Sequence, residues 1–212
     1  MEGNNTVFTI GYSGFEKEQE LFRKLAEHGI NVLIDIRSMP FSKIYPQYNK
    51  PYLEKQCRLH GVLYRHYAEE FGARQMNVRF ITYGKVDFEA FARSERFKSG
   101  MDKVKAALEL GYKPCLLCAE KDPITCHRSI LVGRNLCENG INVIHLYPSA
   151  KKESQEDLEK RLIQMYYPNP WQIDLFGDET PWETMRKESY RKQNRKIGFT
   201  TDPEEKGKPK KE

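Results

Sequence analysis

The chain has 212 residues and a formal net charge of +5, enough for one domain of ordinary size with an appendage. No stretch approaches the roughly 18 uninterrupted apolar residues of a membrane span, and MEGNNTVFTI has neither the basic region nor the apolar core of a secretory leader. Five cysteines, an odd number in no disulfide-scaffold rhythm, fit reduced thiols, so a soluble, cytoplasmic protein is expected.

Thr6 to Ile10 alternates as a strand and opens onto Gly11-Tyr12-Ser13-Gly14. Phe15, Leu21, Phe22 and Leu25 then recur at helical spacing, with His28-Gly29 as a stop. Val32 to Ile36 is a second strand, apolar on both faces as in a parallel sheet, broken by Arg37, Ser38 and Pro40. Met39 to Asn49 reads as an ordered aromatic loop, Pro51 to Leu59 as a helix with proline at its first position, and Val62 to Tyr67 as a third strand. Glu69 to Gly84 has no clear period. Phe88, Phe91 and Ala92, then Val104, Ala107 and Leu108, form helical stripes ending at Gly111. Cys115 to Ala119 is a fourth strand, Lys121-Asp122-Pro123 a turn, Thr125 onward a helix, and Ile141 to Leu146 a fifth strand. Alternating strands and helices predict a three-layer α/β domain, Rossmann-like, with a mainly parallel sheet over residues 1–150. A charged amphipathic helix over 151–167, capped near Ser154, and an extended, mobile basic tail over 168–212 are expected to follow.

The chemistry crowds at the corner after the fourth strand. Cys118 and Glu120 stand at its end, and Cys126, His127 and Arg128 open the next helix, where free N–H groups and the macrodipole favour an anion or a thiolate. Cys126 is the best thiolate candidate, His127 is suited to proton transfer or metal ligation, and Arg128 to a phosphate or carboxylate. Because ligands in such folds bind beyond the carboxyl ends of the strands, these residues should gather with Gly11, Tyr12 and Ser13, with Asp35, Arg37 and Ser38, and with His66.

The blocks TIGYSG, DIRSMPFSKIYPQYNK, LYRHYAEEFGAR and LLCAEKDPITCHRS, in that order between Thr9 and Leu146, closely resemble the bacterial and archaeal family catalogued as domain of unknown function 488. The resemblance brings no activity, substrate or cofactor with it, because that family's molecular function is not established.

Cys115 and Cys118, three apart on one strand, point to opposite faces and cannot chelate one ion. Cys118, Cys126 and His127 would make a three-ligand zinc set if the turn closed, but their spacing matches no common zinc module, and no metal ligand is assigned. A reversible Cys118–Cys126 disulfide stays open. Arg37 and Arg128 are the candidates for ligand contact, against the alternative that Asp35 or Glu120 pairs with one of them as scaffold. Asp35, inside an apolar strand, needs a partner.

Two further features lie near the end. Residues 186–212 hold ten Lys or Arg against five Asp or Glu, so this last segment carries a surplus equal to the whole net charge and suits a loose hold on nucleic acid. Gln172-Ile173-Asp174-Leu175-Phe176, flanked by Pro168, Pro170 and Pro181, resembles the peptide through which polymerases and repair proteins dock on the bacterial sliding clamp. Three readings follow. The first is an enzyme binding a phosphate- or carboxylate-bearing ligand, nucleic-acid-linked or small, with Cys126 or Cys118 reactive, His127 or Glu120 handling protons, and Arg37, Arg128, Ser13, Tyr12 and Asp35 around the ligand. The second is a replication or repair accessory protein tethered to the sliding clamp, and the third a zinc-stabilised structural domain.

Overall fold

The computed structural model describes residues 5–168 and 182–201. The elements run β1 (Thr6–Gly11), α1 (Glu18–Glu27), β2 (Val32–Asp35), α2 (Lys50–Leu59), β3 (Leu63–His66), α3 (Ala68–Phe71), β4 (Ile81–Thr82), β5 (Lys85–Val86), α4 (Phe88–Ala92), α5 (Glu95–Glu109), β6 (Pro114–Cys118), α6 (Arg134–Glu138), β7 (Asn142–Leu146), β8 (Lys152–Ser154), α7 (Gln155–Tyr166) and α8 (Trp182–Ile197). Six strands form one sheet in the order β3-β2-β6-β1-β7-β8. The first five pair in parallel, and only β8 runs antiparallel, against β7. This is the three-layer, mainly parallel α/β fold.

The layers follow from the strand period of two. Val32, Ile34, Leu116 and Cys118 join one core with residues of α4 to α8, whereas Leu33, Cys115 and Leu117 join the other with Leu21, Leu25, Leu53 and Cys57 of α1 and α2. Cys115 and Cys118 therefore lie in opposite cores, which keeps the Cys-x-x-Cys pair apart. Three helices, α4, α5 and α7, start where a side chain supplies an acceptor: Asp87 accepts from Ala90 N–H, Ser94 from Phe97 N–H and Ser154 from Asp157 N–H. Gly29, at φ +63°, ends α1 in the left-handed conformation that disfavours other residues.

Three departures from the periodicity stand out. The aperiodic stretch from Glu69 to Gly84 holds most of α3 and all of β4, and leads into β5 of the same hairpin. Residues Lys152–Ser154 extend the sheet before α7 begins, because Glu153 is buried by bonds to Tyr147 and Arg161 and the edge of β7 offers free backbone groups. The expectation of an extended tail from residue 168 fails for 182–197. There α8 buries Met185, Ser189, Tyr190 and Gln193 and packs on α7. Its charges mask an apolar and hydrogen-bonding face: Tyr190 Oη donates to Glu159, Gln193 Nε2 donates to Ile124 O, and Asn194 Nδ2 donates to Val86 O. Gln172–Phe176 lies outside the described residues. Among the described residues no helix is long and apolar enough to cross a membrane.

Candidate functional site

The strand order creates one topological switch. β1 and β6 are neighbours, with Gly11 in register with Cys118. The chain leaving β1 passes through α1 to β2, beyond β6, while the chain leaving β6 passes through α6 to β7, beyond β1. Because the two connections diverge, and α1 and α6 cover opposite faces, a crevice opens at the carboxyl ends of β1 and β6. Cys118 ends β6 at that point.

The turn that follows is held from both sides. Arg128, fully buried, donates from Nη1 to Glu120 O at 2.6 Å and from Nη2 to Lys121 O at 3.0 Å. From outside, Arg161 grips both carboxylate oxygens of Asp122, at 2.8 and 3.0 Å, and Asp122 Oδ1 accepts from Ile124 N–H. Pro123–Thr125 make a short 3₁₀ turn, Cys126 is extended (φ −129°, ψ 142°), and the helix begins behind it. Cys126 O accepts from Ile130 N–H at 3.2 Å, and Cys126 Sγ accepts from Arg128 N–H at 3.4 Å. The thiol thus occupies the place of a capping oxygen. The helix opens as a π-helix over Arg128–Gly133, with Ser129 Oγ bonded back to Pro123 O and Gln155 Nε2 donating to Ser129 O. Wide turns of this kind recur at functional sites.

Four reactive groups meet at this corner. Cys118 Sγ donates to Glu120 Oε2 at 3.1 Å and lies 3.7 Å from His127 Nδ1, and Cys126 Sγ lies 3.9 Å from the same nitrogen. His127 Nε2 is 3.1 Å from Ile36 O, at the end of β2. Since a carbonyl only accepts, that nitrogen carries a proton and Nδ1 is the atom facing both sulfurs. Burial alone would raise the Cys126 thiol, but its bond with Cys118, the Arg128 guanidinium and His127 outweigh burial and hold it well below the usual thiol range. Cys118 moves the other way, raised by burial and then by its bond to Cys126. Burial would lower His127, yet the bond to Cys126 and its charge raise it. Glu120 is raised by burial and then by the charge of Cys126. Among the groups present, negative charge is best carried by Cys126 and balanced by His127.

A cleft of about 620 Å³ opens over the corner, and Cys118, Glu120 and His127 line it. Cys126 does not: it is 1% exposed and sits behind them. Around the mouth stand Arg37, Arg74, Lys85 and Lys196, together with Tyr12, Phe41 and Phe199. The chain just beyond α8 therefore closes one wall of the cleft, a position that nothing in the composition of the basic segment announces. Arg74, stacked on Phe199 at 5.3 Å, belongs to one of the recognisable sequence blocks, whereas Lys85 and Lys196 carry no local signal.

The ligand-contact candidates divide. Arg37 lines the cleft but is chiefly committed to Asp35, donating from Nε at 2.8 Å and Nη2 at 2.5 Å, and to Tyr48 O at 2.8 Å. Its Nη1 is buried without a hydrogen-bond partner. Asp35 is fully buried, with its carboxylate held by Arg37 and accepting from Tyr64 Oη, and it does not line the cleft. Arg128 likewise holds backbone carbonyls from within the core and is no surface clamp. Tyr12 lines the cleft, its ring stacked on Tyr48 at 4.6 Å and 5.0 Å from the Arg37 guanidinium. Ser13 ties β1 to the turn through its N–H to Ala119 O and stands outside the cleft lining, while His66 Nε2 bonds Arg37 O.

Fold and corner together define an α/β protein with a cysteine–histidine–glutamate cluster at the switch point of a parallel sheet. The family model described as domain of unknown function DUF488 matches residues 17–134, and the chain belongs to that family. No curated protein and no solved structure matches the chain.

Proposed function

We propose that this protein is an enzyme that draws a phosphate- or carboxylate-bearing substrate into the cationic cleft and carries out its chemistry at the Cys118–Glu120–Cys126–His127 corner. One observation carries the reading: titratable groups that are costly to bury converge at the floor of a cleft, at the place where the sheet topology opens a crevice. Within it Arg74, Lys196 and Arg37 supply the attraction for the anion, Glu120 and His127 reach the cleft and move protons, and Cys126 supports them from behind.

Titration calorimetry of the full-length protein with pyrophosphate, nucleoside phosphates and dicarboxylates tests the binding half. R74A and K196A should each weaken binding by at least about tenfold, the equivalent of about 1.4 kcal/mol. No binding of any of these anions at millimolar concentration would defeat the reading.

The peptide Gln172–Phe176, with its flanking prolines, favours a second reading that is compatible with the first: attachment to the replication sliding clamp, bringing the domain to nucleic acid. In that case L175A/F176A loses clamp binding and keeps the thermal midpoint. A lowered midpoint would instead assign the peptide to the fold.

A further inference from the structure

We infer that Cys118, Cys126 and His127 form a binding site for a single zinc ion, with the fourth coordination position open to the cleft beside Glu120.

The donor atoms of these three residues all lie within 4.8 Å of one another. Around tetrahedral zinc, with Zn–S about 2.3 Å and Zn–N about 2.0 Å, sulfur and nitrogen stand about 3.5 Å apart. The observed sulfur–nitrogen separations of 3.7 and 3.9 Å need only a few tenths of an ångström of closure, and the two sulfurs, within 4.8 Å of each other, need at most about an ångström to reach the roughly 3.8 Å they keep around zinc. Two thiols and an imidazole form the soft donor set that prefers zinc over magnesium or calcium.

The surroundings support the same assignment independently of distance. His127 must lose its charge and offer a nitrogen lone pair to the metal, and in the neutral ring the bond from Nε2 to Ile36 O selects the tautomer that leaves Nδ1 free toward the sulfurs, the outer-shell arrangement typical of ligating histidines. Arg128 N–H donates to Cys126 Sγ at 3.4 Å, a bond that a metal-bound thiolate keeps. The ligands sit on rigid supports: Cys118 on the end of a buried strand, Cys126 and His127 on a turn clamped by Arg128 and Arg161. Burial also discriminates. A nucleophilic thiol has to be reached, yet Cys126 lies behind Cys118 and His127, a poor place for attack and a good one for a ligand.

Three protein ligands would leave one position for water, and Glu120, which lines the cleft and has its carboxylate 3.1 Å from Cys118 Sγ, is the carboxylate on that side. The consequence for chemistry rests on the enzymatic reading above, with His127 and Cys126 then holding the metal and Glu120 alone moving protons. With zinc held by Cys118, Cys126 and His127, the ion would supply an activated water at the cleft. Glu120 would take one proton from that water and return it to the leaving group, as the oxygen adds to the electrophilic carbon or phosphorus of the substrate and the bond to that group breaks. The net reaction is hydrolysis, with no change of oxidation state.

Full-length protein is to be loaded with zinc or cobalt(II) under reducing conditions, freed of excess ion and analysed for metal content and visible absorption. About one ion per chain is expected, with thiolate-to-cobalt charge transfer and d–d bands of tetrahedral intensity. C118S, C126S and H127A should each cut the bound metal at least about tenfold, whereas C137S, at the exposed cysteine of α6, and E120Q should keep it. Wild type without metal, with Cys118 and Cys126 alkylated or joined as a disulfide, overturns the site and leaves anion binding by the cleft to be judged separately. Loss of metal in E120Q overturns the open fourth position, since Glu120 would then be a ligand. A loaded ion in a protein that binds no anion upholds the site while removing the enzymatic reading.

Discussion

Gly11 and Glu120 touch through backbone alone: a Cβ placed on Gly11 would lie 1.7 Å from the Glu120 carbonyl oxygen and 3.1 Å from Arg128 Nη1. Gly11 has φ −114° and ψ 120°, an ordinary strand conformation, so glycine is needed here for space and not for backbone freedom. The same close approach lets Ser13 N–H reach Ala119 O at 3.0 Å and brings the carboxyl ends of β1 and β6 together under the corner.

G11A should therefore be costly. The Glu120 carbonyl would have to move by more than an ångström and lose its bond to Arg128, and overpacking against backbone costs about 3 kcal/mol or more. Urea unfolding of the variant should show a lower midpoint with an unchanged slope. A midpoint within error of wild type would mean that the turn is loose.

Asp35 and Arg37 form a buried pair whose members depend on each other. Burial would lower the Arg37 pKa, but the bond to Asp35 and its charge raise it above the ordinary value. D35N keeps the volume and leaves the guanidinium buried without a counter-charge, which costs about 3–5 kcal/mol. The thermal midpoint of D35N should fall by far more than that of an exposed control such as E109Q, where surface substitutions stay within about 0.5 kcal/mol.

Tyr190 tests whether α8 belongs to the fold. It is 1% exposed, its hydroxyl bonds Glu159 and receives Gln155 Nε2, and the guanidinium of Arg134 lies 4.5 Å from its ring centroid. Y190A should cost about 3–5 kcal/mol by cavity formation, and Y190F about 1–2 kcal/mol for the unsatisfied polar partners. Equal stability of Y190A and wild type in denaturant titration would show α8 to be dispensable.

His145 gives stability a pH dependence. Burial, and then the charge of Arg128, lower its pKa from 6.5 to about 3, so the folded protein holds it neutral between Thr9 Oγ1 and Gln155 Oε1. The unfolded chain binds a proton near pH 6.5 that the folded one refuses. The contribution is therefore full above that pH and declines as pH falls toward the folded value. From pH 7.5 to pH 5 this group alone should remove about 2 kcal/mol. H145Q, compared with wild type at both pH values by chemical denaturation, should flatten that part of the profile even though it is less stable at neutral pH.

Much of the domain was legible because its signals are local. Apolar runs bounded by turn residues marked the five parallel strands, the period of two separated Cys115 from Cys118, and a strand–turn–helix crowded with Cys118, Glu120, Cys126 and His127 pointed to the corner where these side chains meet. The β4–β5 hairpin and β8 were not visible, since each is too short for a period and exists only where a neighbouring edge supplies hydrogen bonds. Residues 182–197 read as a charged tail because Lys and Arg dominate their count, while the face that matters, Met185, Ser189, Tyr190 and Gln193, is half polar and finds its partners in Glu159, Gln155 and Ile124 from elsewhere in the chain.

Sequence alone determined the layer architecture, the family and the residues of the reactive corner, because hydrophobic period and turn chemistry act over a few residues. Only the tertiary structure decided where their side chains stand. Arg128 and Asp35 turned inward as scaffold because the core offered carbonyls and a guanidinium at bonding distance. Cys126 fell behind Cys118 and His127 because it packs into the core with Ile124 and Ile130. Lys196 and Phe199 came to the cleft because α8 docks on α7, and burial and distance between residues far apart in the chain are properties of the packed molecule.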